Sequence, residues 1–190
     1  MTEPLVFTPS IESLFVHGLR LSLPARESLR ALGLDLDRPL LPAYPLATWE
    51  RAVQVAARDA FPQLDVDAAH LQLGRRMLAG YDATLIGKAI GIAARLAGPR
   101  RTLERMAHNT GTANNYVLAR VEALPDGSLR LTNTVQPAME PVFRARGHRL
   151  SPMWLPGLVT GILENLRVPR FEVTPEPGAE PMRVSCLARF

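Results

Sequence analysis

From Leu46 to Ala60, the apolar residues Trp49, Val53, Ala56, Ala57 and Ala60 recur at helical spacing among charged ones, so they share one face of a helix. An earlier helix over 24–32 follows from Leu29 and Leu32 behind Pro24, which suits a first turn, with Gly33 as the stop. A third helix is capped by Asp67; it buries Leu71, Leu73, Gly74, Met77 and Leu78 and turns Arg75 and Arg76 toward solvent. Leu85, Ile86, Ala89, Ile90, Ala93 and Leu96 mark a fourth helix over 84–97, and Pro99 opens a fifth over 99–109. Much later, Met153, Trp154, Leu158, Ile162, Leu163 and Leu166 give an apolar helix face within 152–167.

The period changes to two from Tyr116 to Leu124, where Tyr116, Leu118, Arg120 and Glu122 alternate with Val117, Ala119, Val121 and Ala123. Pro125-Asp126-Gly127 turns the chain, and Ser128–Val135 returns as the second strand of a hairpin. A second hairpin runs over 170–174, the turn PEPGAEP and 182–190, with Val184, Cys186 and Ala188 on one face. Elsewhere the pattern is thinner. Leu5–Thr8 reads as a short β-like piece, and a helical turn follows from Ser10 with Glu12 near its cap. The linker LDLDRPLLPAYP is extended or turning, and Gln136–Arg149 has no clear period. The order gives a single α+β domain over 1–190, with an N-terminal block of about five helices followed by hairpin, helix, hairpin. Its four-stranded antiparallel sheet packs on helices.

Small residues form a second stripe on the fourth helix, Gly87, Gly91, Ala94 and Gly98. A glycine inside a helix costs about 1 kcal/mol against alanine, so such positions mark the close approach of a backbone or a ligand. Gly87 and Gly91 are therefore candidate ligand-binding positions, and the competing reading is helix-to-helix packing with no space left over. Gly157 and Gly161 mark a similar approach. Tyr116 and Arg120 share a strand face and are candidates to hold a ligand's acid group, arginine supplying a forked donor.

Composition narrows the classes further. A length of 190 residues suits one domain, and a net charge of +4 is too mild to imply nucleic acid. The basic residues Arg144, Arg146, His148 and Arg149 lack the interleaved aromatics of a single-strand binder. Gly98-Pro99-Arg100-Arg101 opens a helix that could attract an anion, and reads more simply as a solvated basic turn. The lone Cys186 leaves no intrachain disulfide, fits a reducing compartment and belongs to the core of the last strand. The amino terminus lacks a signal's positive charge and no long uncharged apolar run occurs, so the expected location is cytoplasmic, with no transmembrane segment. His17, His70, His108 and His148 stand at no metal-ligand spacing, and neither a G-x-S-x-G elbow nor a phosphate-binding glycine loop is present. The acid pairs Asp35 with Asp37 and Asp65 with Asp67 read as turn and capping residues. No metal, cofactor or catalytic group is assigned, and an enzyme is not expected.

The segments LGRRMLAGYDATLIGKAIG, GPRRTLERM and NNYVLARVEAL resemble a myxobacterial paralogous family of uncharacterised proteins. The element order resembles the superfamily of haem nitric-oxide/oxygen-binding domains, four-vinyl-reductase-like ligand domains and Bet3-type vesicle-tethering subunits. Haem-binding members carry a Tyr-x-Ser-x-Arg motif for the propionates and a proximal histidine. Here Tyr116, Leu118 and Arg120 stand in that frame with leucine for serine, and the small-residue helix has no histidine. The resemblance implies a non-catalytic regulatory or sensory module for a small apolar ligand, its acid end met by Arg120, working as a homodimer or with a protein partner. The alternative is a Bet3-like interaction scaffold with a closed cavity.

Overall fold

The computed structural model describes residues 3–83, 94, 96–178 and 180–190, so Gly87 and Gly91 lie outside the described residues. The chain opens with β1 (Leu5–Phe7), which pairs antiparallel with β2 (Ala43–Pro45), Val6 standing opposite Tyr44. β2 comes out of the proline-rich linker, and the amide of Leu46 donates to the carbonyl of Pro4 at 2.9 Å. Between these strands, α1 (Thr8–Ile11) starts with Pro9 in its first turn and continues as a π-helical stretch over Glu12–Gly18. The start is therefore Thr8 rather than Ser10, and no side chain caps it.

α2 (Leu23–Ala31) is capped by Ser22, whose hydroxyl accepts from the Ala25 amide. α3 (Leu46–Ala60) buries Trp49, Val53 and Ala56 as their spacing predicts, and Ala52 beside them, while Ala57 and Ala60 are half-buried. α4 (Val66–Ala83) is capped by Asp65 and not Asp67: the Asp65 carboxylate accepts the Ala68 amide at 2.8 Å. Val66, 69% exposed, gave the apolar pattern no sign of where that helix begins. α5 (Pro99–His108) follows, then α6 (Glu140–Arg146) inside the stretch without a clear period, ending at Gly147 in the left-handed region at φ 68°. α7 (Trp154–Asn165) is the apolar helix.

The main sheet has four antiparallel strands: β3 (Val117–Ala123), β4 (Leu129–Val135), β5 (Glu172–Pro175) and β6 (Arg183–Arg189), in the order β3-β4-β6-β5. β4 and β6 join the hairpins, with Leu131 opposite Cys186. One face of this sheet buries Leu129, Leu131, Val184 and Cys186 against Leu103, Leu155, Val159 and Leu163 from α5 and α7. A second apolar cluster gathers Phe15, Leu29, Trp49, Val53, Leu73, Tyr116 and Phe143.

Helix α4 is held against α7 by missing side chains. A Cβ on Gly157 would stand 2.2 Å from the carbonyl oxygen of Leu71, and one on Gly74 would stand 2.7 Å from that of Trp154. Real contacts are never that short, so only glycine lets these backbones touch. Among the described residues, no helix is long and apolar enough to cross a membrane.

Candidate functional site

A cavity of about 1520 Å³ is lined by members of both apolar clusters, among them Val53 and Trp49 from one and Leu155 and Val184 from the other. α3, α4, α5, α7 and the start of β3 all contribute to its wall. The amphipathic faces that built the helices therefore meet around open space as well as around one another. On one side the rings are interlocked: Trp49 packs edge-on to Phe15 and to Trp154, each pair at 5.5 Å between centroids. His70 packs edge-on to Trp154 at 6.3 Å, and its Nδ1 lies 2.8 Å from the Ser151 hydroxyl. Burial holds the His70 imidazole below its ordinary range, against the opposing pull of Asp67.

One polar part of the wall is Glu50, backed by the buried His148 and flanked by the buried Tyr116. Glu50 on α3 receives the Nδ1–H of His148, at 2.9 Å to Oε2 and 3.1 Å to Oε1. His148 follows Gly147, whose left-handed turn ends α6 and folds the chain back; its side chain is 6% exposed and its Nε2 has no hydrogen-bond partner. Phe143 covers this histidine and Tyr116 alike, each at 5.5 Å between ring centroids. Burial pushes the Glu50 carboxyl up, and the His148 contact pulls the other way without overcoming it. The Tyr116 phenol is raised well above its usual range, first by burial and then by the nearby Glu50 charge.

Tyr116 and Arg120 are not brought together. Tyr116 is buried and lines the cavity; Arg120 is exposed, outside the residues that line it. Phe143 packs on Tyr116, which is buried, whereas Leu118 and Arg120 further along the alternation are exposed. The basic run is paired off piecemeal, Arg144 with Glu140, Arg146 with Glu3 and His148 with Glu50. Arg100 pairs with Glu104 in the same way, and Asp35 pairs with Arg30 and Arg38 around its turn. Glu50 and His148 went unremarked as a pair because 98 residues separate them, with no motif linking the two. Among the described residues, no group of three or more His, Cys, Asp or Glu could hold a metal ion.

Residues 5–182 match the model of a family described as "Protein of unknown function (DUF2378)". The chain belongs to that family. No curated protein matches this DUF2378 member in sequence. Solved structures do match its fold. One, from work entitled "Structural insights into the molecular mechanism of H-NOX activation", superposes with a TM-score of 0.66 at 14% identity, covering 97% of this chain and 96% of that one. The unliganded Fe(II) H-NOX protein from K. algicida gives a TM-score of 0.60 at 12% identity, over 95% of this chain and 93% of that one. The Fe(II)NO form of an H-NOX protein from S. oneidensis gives 0.57 at 9% identity, over 88% of each chain. The DUF2378 chain thus has an H-NOX-like fold.

Haem does not follow from that fold here. Of the strand frame Tyr116, Leu118 and Arg120, only Tyr116 reaches the cavity, so the frame forms no clamp for propionates. His70 from α4 is on the wall, and α5 and α7 bring no histidine to it among the described residues. The described residues do not fit a haem held in the manner of that motif.

Proposed function

We propose that this protein is a non-catalytic sensory or regulatory module that binds a small apolar ligand between its helices and its sheet. The observation that carries the reading is the cavity of about 1520 Å³, whose wall is more apolar than polar and includes Trp49, Val53, Phe143, Trp154 and Leu155 beside polar groups such as Glu50 and His70. Fold-level likeness supports it by analogy, since an S. oneidensis protein of this architecture has been solved in an Fe(II)NO ligation state. Catalysis is not part of the proposal. The Cys186 thiol is fully buried and burial pushes it up to about 12, which suits a packing role and not a nucleophile. An acid end on the ligand is not part of it either, because Arg120 lies off the cavity wall.

Native mass spectrometry of the protein purified from its own host tests the reading. The expected result is a co-purifying small molecule that leaves on denaturation. A homogeneous ligand-free mass, together with failure to take up apolar probes, would overturn it.

A further inference from the structure

We infer that Glu50 is the polar anchor of the cavity and that it selects a ligand whose head group donates a hydrogen bond, a hydroxyl or an ammonium, over one that ends in a carboxylate. The inference rests on the cavity reading and adds a chemical class to it. Three features of the site carry it.

First, the pair is ordered from one side only. His148 is nine-tenths buried, and its Nε2 meets no partner. The Nδ1 edge of the ring faces both Glu50 oxygens, at 2.9 Å and 3.1 Å, so its N–H can be shared between them. The histidine thus works as a strut that fixes the carboxylate in place.

Second, the carboxylate reaches open space while its strut does not. The Glu50 side chain is 34% exposed against 6% for His148, and Glu50 lines the cavity whereas His148 does not. A carboxylate offers about four acceptor sites and no donor. The Nδ1–H occupies one direction, which leaves acceptor capacity turned to the cavity. Among the described residues, Glu50 has no arginine partner.

Third, the surroundings make the acceptor expensive to leave unmet. Trp49 and Val53, neighbours of Glu50 on α3, line the same cavity, and Phe143 packs against both Tyr116 and His148. A partly desolvated carboxylate in such a place gains most from a charge-assisted donor and is repelled by a second carboxylate. The arginines of the wall, Arg58, Arg105 and Arg149, are all exposed and therefore belong to its solvent side.

The test is competition on the full-length protein. N-phenyl-1-naphthylamine, a neutral apolar probe, is bound first and then displaced by 1-decanol, decylamine or decanoate, which share one chain length and differ in head group. In the wild type, the alcohol and the amine should displace the probe at concentrations about tenfold below the acid, as one hydrogen bond to a charged group implies. In Glu50→Gln, whose amide offers a donor as well as an acceptor, the preference should shrink to about threefold or less while the probe still binds. Equal displacement by all three in the wild type, or a preference that survives in Glu50→Gln, would overturn the anchor and leave the cavity reading intact. No binding of the probe to the wild type would overturn both. The wild-type comparison stands by itself if the variant does not fold.

Discussion

Gly157 of α7 lies so close to Leu71 of α4 that a single added methyl group would stand 2.2 Å from the Leu71 carbonyl oxygen. The atom in the way is backbone, so no side-chain rotation can relieve the clash. Gly157→Ala should therefore destabilise the protein by about 3 kcal/mol, the upper range for overpacking, despite a gain in helix propensity of about 1 kcal/mol. Gly111 is the control: nothing stands within 4 Å of its added Cβ, so Gly111→Ala should change stability by about 0.5 kcal/mol or less. Urea unfolding of the two variants beside the wild type checks both.

Glu50 gives a pH dependence with a definite sign. Burial holds its carboxyl in the folded protein above the ordinary value of 4.5, so the native state keeps this proton to higher pH than the unfolded chain does. Its contribution is fully favourable below pH 4.5 and is lost as pH rises through the raised native value. Glu50→Gln removes that loss. Denaturation midpoints should show the variant gaining on the wild type as pH climbs above 4.5, with no such gain below it.

Asp126 carries the opposite sign in the β3–β4 turn. Its carboxylate accepts the Ser128 hydroxyl at 2.6 Å and the Ser128 amide at 3.0 Å, and the hydroxyl contact leads in holding it below its ordinary value of 3.8. The stability it gives is present above pH 3.8 and is lost as pH falls through the lowered native value. Amide exchange at Ser128 and Gly127 should accelerate in Asp126→Ala at neutral pH and should no longer differ from wild type once the carboxyl is protonated.

Cys186 should be silent to thiol reagents in the folded protein. It is fully buried opposite Leu131, and burial pushes its thiol up to about 12. Labelling by a chromogenic disulfide should proceed only at the rate of global unfolding and should quicken in step with urea. Prompt labelling in native buffer would show that this strand opens locally.

How legible the molecule was in its sequence depended on how local each cause is. α3 and both hairpins were readable because their periodicity lies within the element: Trp49, Val53 and Ala56 in the helix, Val184, Cys186 and Ala188 in the strand. Gly157 announced its close approach because glycine in a helix needs a reason. β2 was hidden because its pairing comes from β1, far upstream, and its own residues read as a proline linker. α6 is short, with Val142 and Phe143 as its buried residues, too little for a period. The start of α4 was misplaced by two residues because both Asp65 and Asp67 are plausible caps and Val66 between them is exposed. At the site, Tyr116 is legible in the sequence only as a strand-face residue, and its packing against Phe143 of α6, on the cavity wall, depends on the tertiary fold. The Glu50–His148 contact depends on tertiary folding alone.

The cavity itself is the central claim, and fluorescence titration with N-phenyl-1-naphthylamine tests it most directly, since Trp49 and Trp154 both line the space and can pass excitation to a probe inside it. The expected result is saturable, one-to-one uptake with quenching of tryptophan emission, weakened about tenfold or more in Ala57→Phe, whose added ring takes up part of the cavity wall at α3. Absence of saturable uptake by the folded wild type, or uptake unchanged in a folded Ala57→Phe, would contradict the account.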